Sequence, residues 1–183
     1  TPHLYVTRNF GVTWKKITNG IAPEHFTRAL RADPVKEGYL YAGTETGMYI
    51  SNDDGQSWHS FQQNMPIVPI TDLVVKNNNL VAATQGRGIW LIDDLTVMHQ
   101  QIDLPKMKKN HLYKPMDSYR MGGFQRKNPV GAGTNHPGGV MTHFYLKEFD
   151  KKKDSISISY MNSAGDTIKT YSTFAKEKKN KFK

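Results

Sequence analysis

The sequence predicts an all-β chain, and three observations predict it. Residues 26–92 hold short runs rich in Val, Ile, Tyr and Thr, each closed by Gly, Asn, Asp or Pro. The runs recur. Leu40-Tyr41-Ala42-Gly43-Thr44 is echoed 40 residues on by Leu80-Val81-Ala82-Ala83-Thr84, and Met48-Tyr49-Ile50 by Ile89-Trp90-Leu91. A turn signal repeats as well: Ser51-Asn52-Asp53-Asp54-Gly55-Gln56-Ser57-Trp58 reads S-x-D-x-G-x-S-W. Thr7-Arg8-Asn9-Phe10-Gly11-Val12-Thr13-Trp14 is a worn copy 44 positions earlier.

A period of that size is one four-stranded blade per repeat. Residues 1–95 therefore read as the last two to three blades of an incomplete β-propeller. Residues 96–135 read as a linker with a short helix and extended chain, and 136–183 as part of a β-sandwich domain.

Thr1–Ile17 supply the outer hairpin of one blade. The middle blade has strands at Phe26–Ala32, Tyr39–Thr44, Gly47–Ser51 and Ser57–Gln62, with an Asp33-Pro34 turn and an Glu45-Thr46-Gly47 turn between them. The last blade follows Met65–Pro69, with strands Thr71–Lys76, Leu80–Thr84 and Gly88–Ile92; Asn77-Asn78-Asn79 makes a tight hairpin turn. At Asp93-Asp94-Leu95, where the repeated turn motif would fall again, the pattern stops. Thr96–Ile102 predicts a turn of helix and Leu104–Lys114 a polar connection. Gly122-Gly123, Gly131 and Gly133 predict irregular chain. After the Asn135–Gly139 turn, Val140–Phe149 predicts a strand. Ser155–Tyr160 alternates strictly and, through Ser163-Ala164-Gly165-Asp166, pairs with Thr167–Tyr171.

Each position of the S-x-D-x-G-x-S-W motif has a mechanical role. Gly55 and Gly11 suit positive φ, which costs glycine little. Asp53 and Asn9 accept backbone N–H groups, as Asx side chains do in turns. Ser57 and Thr13 close the turn from the other side. Trp58 and Trp14 pack beneath their hairpins with an indole N–H to place on a partner. A turn that occupies its carboxylate this fully leaves Asp53 no catalytic or metal-binding role.

Composition sets further limits. With no cysteine, no disulfide staples the fold. No apolar run approaches a membrane span, and no secretory signal is visible. The chain starts at Thr1 within a repeat and reads as an excerpt of something longer. Its net charge of +9 is uneven: residues 1–100 carry 8 Lys/Arg against 9 Asp/Glu, and residues 101–183 carry 17 against 7. The excess is mostly lysine in short runs, Lys151-Lys152-Lys153 and Lys176 to Lys183, with aromatics not interleaved in a recognised binding motif. That pattern reads as solvated turns, a tail and edge-strand lysines, and not as a nucleic-acid interface. The 7 histidines show no metal-ligand spacing, and no cofactor motif is present.

From Leu40 to Asp94 the chain resembles the bacterial sortilin-like and neuraminidase-repeat propeller proteins. Leu80–Asp94, with Thr84-Gln85-Gly86-Arg87-Gly88-Ile89-Trp90, is similar to the closing blade of that family. Leu112-Tyr113-Lys114-Pro115 with Tyr119-Arg120 resembles the bridge after the propeller. His136-Pro137-Gly138-Gly139-Val140 and the alternating hairpin resemble the start of an immunoglobulin-like or flagellar-hook-assembly-like β-domain. The resemblance implies a secreted or cell-surface protein, in many relatives labelled a glycosyl hydrolase by analogy. The arginine cluster and tyrosine–glutamate pair of an active sialidase are missing here, as is the cysteine-rich module of true sortilins.

In such a propeller the ligand face is built by the loops Ala22-Pro23-Glu24-His25, Glu45-Thr46, Met65–Pro69 and Gln85-Gly86-Arg87. The candidates there are Glu24, His25, Glu45 and Arg87. Two carboxylates suit glycoside hydrolysis when one is held protonated at the right separation, and Arg87 suits either a carboxylate ligand or a tether to neighbouring loops. Tyr41 and Trp90 are sugar-stacking types that alternate with core positions. Two functions follow. One is a binding or scaffold module for protein or glycan, its propeller completed by the N-terminal remainder of the same protein. The other is a glycoside hydrolase whose catalytic carboxylates lie mostly outside this segment.

Overall fold

A computed structural model describes residues 1–100, 109–118, 139–150 and 153–173. They are mostly β, in several small antiparallel sheets with one short helix. The chain divides into two compact units: Thr1–Leu104 with Leu112–His143, and Pro105–His111 with Phe144–Lys183.

In the first unit, β1 (Tyr5–Val6) and β2 (Lys15–Lys16) form a hairpin. Next comes a four-stranded sheet, β3 (Thr27–Ala32), β4 (Leu40–Thr44), β5 (Met48–Ser51) and β6 (His59–Ser60), each strand antiparallel to the one before. A three-stranded sheet follows, β7 (Ile70–Lys76), β8 (Asn79–Thr84) and β9 (Ile89–Ile92). The β7–β8 turn is the two-residue loop Asn77-Asn78, with φ of 49° and 65°, the left-handed pair that a tight hairpin needs and Asn tolerates. The predicted Ser57–Gln62 strand is shorter, because the chain reaches strand geometry only after Trp58 has turned inward. A single helical turn, α1 (Thr96–His99), ends the run.

Strand register decides which side chains meet. Leu30, Leu40, Ala42 and Tyr49 share one face of the four-stranded sheet, and Tyr41, Gly43, Met48 and Ile50 share the other. The first face packs on Leu4, Val6, Ile17 and Ile21, with Trp58 beside them. The second packs on Ile70, Leu73, Leu80 and Ala82 of the three-stranded sheet. Gly43 permits this approach: a Cβ there would stand 2.7 Å from Ile70 Cγ2, too close for any side chain. At the rim of the same interface Arg31 Nη2 lies 2.5 Å from Asp72 Oδ1. The far face of the three-stranded sheet leaves Val74, Ile89 and Leu91 exposed.

β10 (His111–Leu112) and β11 (Phe144–Tyr145) form a two-residue pair. The strand expected over Val140–Phe149 shrinks to β11. Beside it Tyr113 N–H donates to His143 O at 3.0 Å, and Lys147 N–H donates to the Asn110 side chain at Oδ1, also 3.0 Å. In the second unit, β12 (Ser157–Met161) and β13 (Thr167–Ser172) form the predicted hairpin, with a bulge at Tyr160/Met161. Tyr160 and Tyr171 meet edge to face at 6.0 Å. Every described side chain of this hairpin keeps some exposure, as a two-stranded ribbon must. The expected linker features at 101–108 and 119–138 and the lysine tail at 174–183 lie outside the described residues.

Candidate functional site

Both copies of the repeated turn form the same hydrogen-bond network. In the second copy, Ser51 Oγ accepts Gly55 N–H at 2.9 Å and donates to Asp53 Oδ1 at 2.7 Å; Asp53 then accepts Ser57 N–H at 2.9 Å and Ser57 Oγ–H at 2.5 Å. In the first, Thr7 Oγ1 accepts Gly11 N–H at 2.8 Å, and Asn9 Oδ1 accepts Thr13 N–H at 2.9 Å. Only the last bond changes direction, since Asn9 Nδ2 donates to Thr13 Oγ1 at 2.9 Å. Burial pushes the Asp53 carboxyl up, but the Ser57 hydroxyl and N–H, the Ser51 hydroxyl and the Gln56 N–H hold it below the usual carboxylate value. Arg8 pairs with Asp54 and links the two turns.

The two tryptophans differ. Trp58 is buried, and its Nε1–H donates to the Ile17 carbonyl at 2.8 Å. Trp14 was expected to pack beneath its hairpin in the same way; instead it is 62% exposed and bonds its own turn at Gly11 O, 3.1 Å. The reason is the partner: Trp58 has the Leu4–Ile21 segment beneath it, and among the described residues nothing stands in that position beneath Trp14.

The four ligand-face candidates sit at the loop end of the sheets. Two equivalent bonds, Glu45 N–H to Phe26 O at 3.2 Å and Gln85 N–H to Pro69 O at 2.9 Å, anchor these loops to the first strand of each sheet. Thr44 and Thr84 close the adjoining turns alike, their hydroxyls donating to Gly47 O and Gly88 O at 2.9 and 2.6 Å. Glu45 Oε1 receives both Nε and Nη2 of Arg28, whose guanidinium also lies 5.7 Å from the Phe26 ring centre. His25 Nδ1 lies 2.8 Å from Tyr49 Oη, with the exposed Glu24 carboxylate 4.0 Å from its Nε2. Arg87 is exposed, and its contribution to the turn is its carbonyl, which accepts Trp90 Nε1–H at 3.1 Å. The local geometry thus joins Glu24 to His25 and Glu45 to Arg28.

A buried polar cluster escaped the sequence reading. The Asp33 carboxylate is fully enclosed. Its Oδ1 accepts Val35 N–H at 2.8 Å and Lys36 N–H at 3.0 Å, and its Oδ2 meets Tyr41 O–H and His99 Nε2, each at 2.8 Å. Burial pushes this carboxyl up, but the His99 ring, the two N–H groups and the Tyr41 hydroxyl together bring it below the usual value. Burial and then the Asp33 hydrogen bond and charge push the Tyr41 phenol far above its ordinary range. Tyr41 is therefore a core residue and presents no stacking face. An Asp-Pro-x-x turn signals the two N–H donors; nothing in the sequence links His99, 66 residues away, to that carboxylate. The cluster clamps the turn after β3 to β4 and to α1.

Among the described residues no group of three or more His, Cys, Asp or Glu side chains is disposed to hold a metal ion, and no helix is long and apolar enough to cross a membrane. No protein-family model matches the chain, and no curated protein matches it.

Proposed function

We propose that this chain is the closing part of an Asp-box β-propeller of the sortilin-like, neuraminidase-repeat type, followed by part of an immunoglobulin-like β-sandwich. It works at the cell surface or outside the cell as a binding or scaffold module for protein or glycan. The observation that carries the reading is the duplicated turn network with sheets stacked face to face in sequence order. The N-terminal remainder of the same protein supplies further blades, one of which gives Trp14 the carbonyl that Ile17 gives Trp58.

Binding is favoured over glycoside hydrolysis by the state of Glu45. A general acid needs surroundings that keep it protonated and aimed at a leaving group; Glu45 is turned onto Arg28. A released-sugar assay on the full polypeptide, beside its Glu24→Ala and Glu45→Ala variants, tests this. A binding module gives no turnover above buffer in any of the three. Sugar release that falls on either substitution contradicts it.

A further inference from the structure

Among the described residues the two larger sheets differ by one strand, and the place of the missing strand is lined by a cleft. In the four-stranded sheet β6 pairs with β5, and Phe61 N–H donates to Met48 O at 2.8 Å. After β9 the chain takes the same path for a short distance: Leu95 N–H reaches Asn78 O at 2.9 Å, as Asp54 N–H reaches Gly38 O at 2.9 Å. Then Thr96 begins α1, where Gly55 would continue the turn. Among the described residues no strand pairs with the outer edge of β9. Thr84 N–H donates to Gly88 O, so Gly88 points inward; alternation turns the N–H groups of Ile89 and Leu91 outward.

The space beside that edge corresponds to the Trp58 socket. Leu4, Ile17, Ile21, Ala42 and Tyr49 cluster with Trp58. The residues at equivalent places one repeat later are Met48, Phe61, Met65, Ala82 and Trp90, and all five line one cleft. An adjoining cleft of about 490 Å³ extends it between Ile50, Phe61, Ile92 and Met98, with Gln63 and Asn64 also lining it. The backbone agrees. Ile17 N–H to Leu4 O is matched by Phe61 N–H to Met48 O, and Ile21 N–H to Thr18 O by Met65 N–H to Gln62 O. The Ile17 carbonyl accepts the Trp58 indole; among the described residues nothing is bonded to the Phe61 carbonyl, its counterpart.

We infer that β9 is a strand acceptor with a tryptophan socket: an extended peptide pairs antiparallel with Ile89–Ile92 and seats a tryptophan between Phe61, Met65 and Trp90, its indole N–H on the Phe61 carbonyl. Strand addition supplies main-chain hydrogen bonds, and the anchored aromatic supplies selectivity. The inference deepens the binding-module reading and rests on it for the equivalence of the repeats.

The probe is a fluorescein-labelled peptide copying Gly55–Gln62, this chain's own fourth strand, titrated into the full 183-residue chain by anisotropy. Saturable one-to-one binding is expected. Trp→Ala in the peptide should weaken it about tenfold or more. Met98→Glu, which puts a charge at the cleft, and Leu91→Pro, which deletes an outward N–H without touching the β8 ladder, should each do the same with the circular dichroism spectrum unchanged. Equal affinity for the alanine peptide, or no saturable binding to the folded chain, overturns the inference. So does a concentration-dependent dimer that the peptide does not dissociate, since a second copy then fills the place. Rings seen by microscopy of the full polypeptide without peptide binding sink this inference and leave the propeller reading standing.

Discussion

Trp58 is fastened to Ile17 by a 2.8 Å bond from its indole N–H to the main-chain carbonyl, and its own backbone N–H donates to Asn19 O at 2.8 Å. One residue thereby holds the first hairpin against the four-stranded sheet through side chain and backbone together. Trp14, at the same place in the earlier copy, bonds among the described residues within its own turn, at Gly11 O.

That asymmetry predicts unequal stability effects. Trp58→Phe leaves a buried carbonyl without its donor and should cost about 1–3 kcal/mol. Trp14→Phe should stay within about 0.5 kcal/mol, the range of an exposed site. Urea unfolding of the two variants checks this; equal midpoints contradict the fastening role.

Gly20 carries a related prediction. Its φ is +95°, and a Cβ would lie 2.2 Å from the Trp58 carbonyl oxygen, a main-chain atom with no rotamer to escape into. Gly86 has φ +85° with open space around it. Gly86→Ala should cost about 1–2 kcal/mol from backbone conformation alone, and Gly20→Ala clearly more. Thermal unfolding ranks them, and the reverse order refutes the packing described.

The turn network separates geometry from charge. Asn9 already shows that an amide satisfies the same donors, with one bond reversed. Asp53→Asn should therefore cost under about 1 kcal/mol, and Asp53→Ala, which leaves the Ser57 and Ser51 groups unpaired, about 1–3 kcal/mol. Denaturation midpoints of the pair decide it.

Acid stability should depend on Asp33. Its carboxyl titrates lower in the fold than in the unfolded chain, so the unfolded chain takes up the proton first as pH falls. The contribution is complete above the ordinary value of about 4 and is lost as pH drops through the lower folded value. Asp33→Asn should flatten that acid limb, leaving the part due to Asp53. At the alkaline end the sign reverses for Tyr41, whose phenol is raised: its contribution holds below about pH 10 and fades above it. Unfolding midpoints measured against pH for wild type and Asp33→Asn test both limbs.

The strands between Thr27 and Ile92 were legible because alternation, Asn-Asn and Gly turns and a repeat all point to the same elements. The chemistry of Ser51, Asp53 and Ser57 was equally legible, since every partner lies within four residues. The exposure of Trp14 was not, because burial depends on what another segment places against it. The Asp33–His99 contact was not, because a side-chain pair 66 residues apart has no local signature. The short β10–β11 pairing had too few residues to show a period. At the loop end, Glu24 and Glu45 stood out as carboxylates on loops, and it is the folded backbone that brings Arg28 onto Glu45.

The most direct test of the account is an experimental structure of the full polypeptide by electron microscopy or crystallography. The proposed propeller requires a ring in which the β1–β2 hairpin, the four-stranded sheet and the three-stranded sheet are related by successive rotations about one axis, with the Trp58 indole on the Ile17 carbonyl. Sheets unrelated by any common rotation, or Trp58 turned away from Ile17, would contradict it.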